Sequence, residues 1–412
     1  MKYSILIPTY NPGKYIDGCL QSIISQSYSD VEIIISDDSS TDGTREYLST
    51  VNDPRVSVIY PPESMSMSEH WNWLLSRAHG EWIIFVGQDD GLQAYFFELA
   101  DFLVQKAQQK NLRAIASERA YYFWPGCQEV YGDIGINAFA MPKIETRSTL
   151  IGALKALSSL IDYHALPQMY TTSLFHRSLI EEAQKLQEGK LIITHPQDAN
   201  LAAIVCILEK EYLFSYTPLG WVGTSPKSAG LAISHNSSPE LRAIYLDKIQ
   251  KSKLLCHPLA GDFRLASGPL YFWGALLQSR TLYKYRTFNY ATSPFIKYIV
   301  ISTVLNDIST KRNDPEIINL WKELVKINNC NTFILKITST FIRFLIYTHS
   351  RVQQIMRNFF IQKGKAYLLM KNINTCGSIR QESVLFKEQL LSHLNMRPLG
   401  ILGKAFGSSQ NV

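Results

Sequence analysis

The stretch SILIPTYNPGKYIDGCLQSIISQSYSDVEIIISDD, residues 4–38, carries one complete unit of the architecture. SILIP (4–8) is a short apolar run, and over residues 14–26 Tyr15, Ile16, Cys19, Leu20, Ile23 and Ile24 recur at helical spacing. VEIIIS (31–36) is a second apolar run. A polar turn follows, then a short helix seeded by Thr41, whose side chain can cap it. VSVIY (56–60), a helix bearing Trp and Leu near 68–78 and EWIIFV (81–86) repeat the unit. Apolar runs alternating with helices predict an α/β fold, its Rossmann-like sheet mostly parallel and covered on both faces. Ligands of such sheets bind beyond the carboxyl ends of the strands.

Further along, residues 121–146 are aromatic and irregular, and helical patterns resume near 148–161 and 178–188 with QMYTTSLF (168–175) as a strand candidate between them. HPQDANLAAIVCIL (195–208) reads as a loop entering a buried helix, EYLFSYTPLGWVG (211–223) as one or two strands, and TSPKSAG (224–230) as a loop. From about 240 the pattern is mostly helical, which divides the chain into 1–235 and a helical C-terminal region, 236–412. The 412 residues are 46% hydrophobic and 18% charged, which excludes a disordered chain and gives length for two or three domains. Six cysteines (Cys19, Cys127, Cys206, Cys256, Cys330, Cys376) stand far apart, against a disulfide scaffold or structural zinc and in keeping with a reducing cytoplasm. No run of 18 uncharged apolar residues reads as a membrane span, and Pro8 interrupts the N-terminal apolar run, against a signal peptide. Charge is uneven. Residues 1–279 hold 22 Lys and Arg against 29 Asp and Glu, whereas residues 280–412 hold 19 against 6. A basic region on an acidic body predicts an anionic partner.

Three polar clusters follow the apolar runs: Pro8-Thr9-Tyr10-Asn11, Asp37-Asp38-Ser39-Ser40-Thr41-Asp42-Gly43, and Gly87-Gln88-Asp89-Asp90-Gly91. Turns are polar in general, so one cluster alone would read as a turn. Three at one sheet edge, two with paired carboxylates, point to a site, because adjacent buried acids are costly without a compensating cation. Asp89 and Asp90 offer hard oxygen ligands of the kind Mg²⁺ or Mn²⁺ shares with substrate phosphates.

On these residues the sequence resembles family 2 glycosyltransferases of the GT-A fold. The resemblance runs from residues 4–44 through Asn72 and GEWIIFVGQDDG (80–91), at the place of the family's DxD motif, to HPQDANLAAIV (195–205), similar to its acceptor-side acidic motif, and covers about residues 1–230. It implies transfer of a sugar from a nucleotide diphosphate-sugar, a UDP-sugar favoured, to a saccharide or lipid-linked saccharide, with inversion, in surface polysaccharide biosynthesis. Pro8, Thr9, Tyr10, Asn11, Asp37, Asp38, Asn72, Asp89 and Lys227 would meet the donor nucleotide. Asp90, with Asp89, would hold Mn²⁺ or Mg²⁺ against the diphosphate. Asp198 matches the family's catalytic aspartate and would take the proton from the acceptor hydroxyl. Its alternative reading is a plain helix cap. The motif reads Gln88-Asp89-Asp90 where the family pattern is Asp-x-Asp.

Lys227 has a second reading as a solvated loop lysine, and His176 and His195 read as loop or packing residues, no metal-type spacing joining them. Trp71 and Trp73, two apart on a helix, cannot both face the core. A non-catalytic nucleotide-sugar-binding or scaffold protein is the rival from another class, and the four acids Asp38, Asp89, Asp90 and Asp198 weigh against it. The lack of a Gly-rich Walker loop argues against an ATPase or kinase. Residues 331–370 interleave apolar positions near helical spacing with Lys336, Arg343, Arg351 and Arg357. They read either as a helical unit packed on the body or as interfacial helices drawn to an anionic membrane surface. The expected location is therefore cytoplasmic, with peripheral attachment to the inner face of the plasma membrane on the second reading. No nucleic-acid motif is present, and none is expected as partner.

Overall fold

The computed structural model describes residues 1–235, 238–252, 254, 257–285, 289–308 and 314–393; Cys256 lies outside them. Tyr3–Thr9 (β1), Val31–Asp37 (β2), Val56–Ile59 (β3) and Trp82–Phe85 (β4) are the four apolar runs. They pair in parallel in the order β3-β2-β1-β4. Their continuous apolarity has a direct cause, because the sheet is buried on both faces. Tyr3, Ile5 and Ile7 of β1 enter one core and Leu6 the other; Ile33 and Ile35 of β2 oppose Ile34, and Trp82 and Ile84 of β4 oppose Ile83 and Phe85. The helices Tyr15–Ile24 and Phe96–Gln109 cover the first face, and Met67–Leu75 and Gln197–Leu208 the second.

Gly91–Leu92 (β5), Ala114–Ser117 (β6), Ala120–Phe123 (β7), Ile134–Ala140 (β8), Ile144–Ser148 (β9), Ser173–His176 (β10), Glu211–Ser215 (β11) and Gly220–Thr224 (β12) follow. Tyr367–Asn372 (β13) closes the series. Among the described residues they form an eight-stranded sheet, β3-β2-β1-β4-β10-β6-β11-β9, and a five-stranded one, β13-β8-β7-β12-β5. β10 enters antiparallel to β4 and β6, so the sheet is mixed beyond its nucleotide-type half. The irregular stretch 121–146 is in fact three strands, with Ile136, Ala138 and Ala140 of β8 turned into the first core.

Two local expectations change. The helix expected to start at Thr41 runs Thr44–Ser49, with Gly43 at its N-cap in a left-handed conformation (φ 85°). Thr41 instead gives its N–H to Asn11 Oδ1 at 2.7 Å. The long C-terminal helix runs Thr332–Gln362 and stops short of residue 370, where Gly364 (φ 64°) turns the chain into β13.

The region after 235 is mainly helical, but a boundary at 235 does not separate two cores. β13 pairs with β8, and Phe386, on the helix Ile379–His393, is fully buried against Trp221 of β12, ring centroids 5.6 Å apart. The second core likewise joins Ile204 and Val205 to Phe272, Trp273 and Val300. No described helix is long and apolar enough to cross a membrane. Phe386→Ala should therefore destabilise the core that the C-terminal helix and β12 share with the N-terminal strands. The expected loss is about 3–5 kcal/mol, as for a large aromatic truncated in a packed core, read from denaturant unfolding of the whole chain. A change below about 1 kcal/mol would show that this helix is not part of that core.

Candidate active site

The parallel register sets Thr9 of β1 beside Asp37 of β2, so the strand ends arrive at one edge. Gln88, just past β4, ties them. Its Oε1 accepts from Thr9 Oγ1 and from the Tyr10 N–H, both at 2.8 Å, and its Nε2 donates to the Tyr10 carbonyl at 3.3 Å. Asn11 adopts a left-handed turn (φ 48°) and gives its N–H to Ser40 Oγ at 2.8 Å. Pro8 pairs in register with Ser36 as the chain leaves the sheet. Lys227, beyond β12, folds back so that Nζ reaches the Asn11 carbonyl at 2.8 Å and Asp42 Oδ2 at 3.1 Å.

The acids of this edge are held in contrasting ways. Asp37 is buried and takes Arg45 Nε at 2.9 Å, together with the Ser40 N–H. Asp38, also buried, accepts from Met65 N–H at 3.1 Å, Ser64 Oγ at 3.1 Å and Lys248 Nζ at 2.8 Å. Asp89, also buried, has Oδ2 taking Ser225 Oγ and Ser228 Oγ at 2.7 Å each and the Ser225 N–H at 3.2 Å. Burial outweighs these bonds and pushes its carboxyl above the usual range.

Asp90 differs from expectation. It is wholly enclosed, its oxygens taken by Gly87 N–H at 3.1 Å, Gly223 N–H at 2.7 Å, the Thr171 hydroxyl and Tyr170. Burial, then the neighbouring Asp89 charge, raises its pKa. Of the expected metal pair, Asp90 is thus fully enclosed and Asp89 keeps only a small exposure. Gly223 is required here, since a Cβ would collide with the Asp89 carbonyl.

The helix Pro239–Lys251 lies over this edge. Its Lys248 stands 4.0 Å above the Tyr10 ring while bonded to Asp38, and its Tyr245 lies near Asp89 and Tyr10, burial raising its phenol pKa. Sequence reading placed this helix outside the site, and nothing in its spacing announced a return to Asp38.

On the acceptor side, Asp198 stands in the first turn of Gln197–Leu208. The N-cap of that helix is Pro196, which makes no side-chain cap, so Asp198 is not the cap residue. Its Oδ2 accepts from Tyr163 Oη at 3.2 Å and faces His164 Nε2 at 3.0 Å, and its side chain is 20% exposed. His164 Nδ1 in turn meets Asp162 Oδ1 at 2.7 Å. Burial pushes Asp198 up, but the His164, Ala199 and Tyr163 bonds more than offset it and hold the carboxyl below its usual range. His164 is disfavoured as a cation by burial, yet the two flanking acids raise its pKa to about 9. It is thus an imidazolium at neutral pH.

The structure links the two sides. Arg119 bonds the His164 carbonyl at 3.4 Å and lies within electrostatic reach of both Asp162 and Asp90. Of the expected residues, Asn72 turns elsewhere, its amide spanning Ile192 with Nδ2 to the carbonyl at 2.7 Å and Oδ1 from the N–H at 2.9 Å. Trp71 is core, stacked on Phe85 at 4.1 Å, while Trp73 carries Arg77 over its ring at 4.3 Å. His195, kept neutral by burial, bridges Ser68 and Ser252, and His176 caps the helix Arg177–Leu186. Asp162, His164, Tyr245 and Lys248 escaped sequence reading. Only the Asp-x-His spacing at 162–164 hinted at a paired imidazole.

Residues 4–182 match the family model described as glycosyl transferase family 2. The chain is 34% identical over 110 residues to glycosyltransferase GlyG of Streptococcus pneumoniae serotype 4, covering 26% of this chain and 36% of that protein. It is 38% identical over 89 residues to the putative teichuronic acid biosynthesis glycosyltransferase TuaG of Bacillus subtilis, covering 21% and 35%. The chain thus spans about a third of the length of these curated relatives. Among solved structures, S. aureus TarS 1–349 in complex with UDP superposes at a TM-score of 0.44 with 16% identity, over 83% of this chain and 91% of that one. The strand-end motifs and the Asp89-Asp90 turn fall within the matched residues, whereas β11 of the same sheet and Asp198 lie beyond them, and residues 4–182 form a glycosyl transferase family 2 domain.

Proposed function

We propose that the protein transfers a sugar from a nucleotide diphosphate-sugar, UDP-linked by preference, to a saccharide or lipid-linked saccharide acceptor, with inversion, in building a surface polysaccharide. The observation that carries this reading is Asp198, a carboxylate kept ionised by an imidazolium and linked through His164 and Arg119 to the strand-end acids. In the proposed step an acceptor O–H gives its proton to Asp198 while its oxygen forms a bond to the anomeric carbon. The bond from that carbon to the diphosphate breaks, and its electron pair leaves on the diphosphate oxygen. Asp38 suits a base N–H. Three of the roughly four lone-pair positions on its carboxylate are taken, and one remains.

The donor set fits a divalent ion shared with substrate. Asp37, Asp38, Asp42 and Asp198 each hold a cationic side chain, at 2.9, 2.8, 3.1 and 3.0 Å, whereas Asp89 is answered by hydroxyls and an amide, with no ion pair among the described residues. No group of three His, Cys, Asp or Glu among the described residues could hold a metal by itself. Asp89 would hold Mn²⁺ or Mg²⁺, and the ion would supply charge neutralisation for the departing diphosphate.

Asp198→Asn should keep the fold and donor binding while transfer falls on the order of 10²–10⁴, the usual worth of a positioned base. A rate within about threefold of wild type would place the base elsewhere. The acids of the turn should separate cleanly. Asp89→Ala is expected to remove the Mn²⁺-dependent part of UDP affinity in calorimetric titration, at a stability cost from the buried Ser225 N–H that loses its Asp89 acceptor. Asp90→Ala orphans two buried N–H groups and should cost about 1–3 kcal/mol for each. Equal Mn²⁺ response in wild type and Asp89→Ala would refute the metal assignment.

His164 sets a pH window. Its folded pKa, about 9, exceeds the ordinary 6.5, so its stabilisation is full below about 6.5 and is lost as pH rises through about 9. Neutral imidazole has one N–H for two acids, so Asp162 or Asp198 then loses its donor. Wild type should lose stability across this window, and His164→Leu should show a flatter profile; parallel melting curves against pH for both would contradict the assignment.

A further inference from the structure

The helix Thr332–Gln362 is fixed to the body along one side only. Leu335, Ser339 and Ile342 are buried, with Ser302 and Asn306 bonding its early turns. Near its end Arg357 pairs with Glu118 at 2.7 Å, and Phe360 and Ile361 pack by Phe139 and Met141. The opposite side faces water. Phe333, Ile337, Phe341, Phe344, Ile355 and Phe359 are all exposed, Phe333 by 70%, Phe344 by 62% and Ile355 by 65%. At 3.6 residues per turn these six fall within an arc of about 80° along a helix of about 46 Å. Two exposed apolar groups, 333–344 and 355–359, thus share one side of the helix with Thr348 and Arg351 between them, and exposed apolar surface of that extent marks an interaction surface.

Charge selects its occupant. The 31 residues contain Lys336, Arg343, Arg351 and Arg357 and no Asp or Glu. Lys336, Arg343 and Arg351 are exposed, and Arg351 lies on the same side as the stripe. In a second copy packed face to face, these cations would meet their own kind with no acid on either helix to answer them. Anionic lipid phosphates answer them directly, while the rings and branched side chains enter the acyl boundary, the pattern of a helix lying in the plane of a membrane interface.

We propose that the Thr332–Gln362 face is a docking surface for an anionic lipid bilayer. It binds peripherally, needs neither donor nor acceptor, and is independent of the sugar-transfer reading. The test is flotation of the full-length chain with vesicles of pure phosphatidylcholine or of phosphatidylcholine with one-third phosphatidylglycerol. Wild type should float with the anionic vesicles, should not float with the neutral ones, and should be released near 1 M salt, where the screening length is ~3 Å. Lys336→Gln and Arg351→Gln should each weaken partitioning roughly fivefold. Phe341→Ser with Phe344→Ser should abolish it at unchanged melting temperature, because both rings already lie in water. Three outcomes overturn the proposal: no flotation at low salt, equal flotation with neutral vesicles, or a stable dimer in light scattering that the Phe341/Phe344 double variant dissociates.

Discussion

One enclosed carboxylate joins the two sheets at the place where the site is built. Asp90 lies in the turn between β4 of the larger sheet and β5 of the smaller one and accepts the N–H of Gly223 on β12, in the smaller sheet, while Thr171 and Tyr170 reach it from the segment before β10 of the larger. An ionised group buried without these donors would be prohibitively costly, so the turn, the glycine and the two hydroxyls are bound to one another's positions. Asp89, one residue earlier on the same turn, is thereby held against Ser225 and Ser228 beyond β12.

Legibility in the sequence followed the range of the interactions. β1, β2 and β4 were readable because each is buried on both faces and so appears as an unbroken apolar run. β7 and β8 were not, since YYF and IGINAFA are completed by partners far away: β12 and, for β8, residues 367–372 near the chain's other end. The site divides in the same way. Asp37, Asp38 and Asp89 were readable as polar residues ending strands, yet spacing alone could not say which of Asp89 and Asp90 would be enclosed. Asn72 looked like a donor residue and instead braces Ile192. His164 lies 34 residues from Asp198 and Lys248 lies 210 from Asp38; contacts at such separation leave no local pattern.

The cleft also shows how a cluster of acids is tolerated. Each of four carboxylates is matched by a cation from a different element: Arg45 from a short helix, Lys227 from the loop after β12, Lys248 from the overlying helix and His164 from a turn. Opposite charge at this distance lowers the cost of burial far more than hydroxyl donors do. Asp89 and Asp90 are left to neutral donors among the described residues, and the raised pKa of each records the difference. The imbalance is local and specific.

On the proposed reading of Asp198, His164 answers a conflict inherent in using a carboxylate as a base in a closed site. Burial favours the protonated acid, which cannot accept the acceptor's proton; full pairing with a cation favours ionisation but weakens the base. An arginine at this position would enforce ionisation at every pH and occupy both oxygens as a fork. The imidazolium gives one N–H to Oδ2 and spends the other on Asp162. Asp198 thereby stays ionised, its side chain remains partly open to the cleft, and the cation that holds it is anchored by a second acid rather than by the base alone. Asp162 is thus as much a part of the arrangement as His164, since without it the imidazole would lose the larger share of the charge that keeps it protonated.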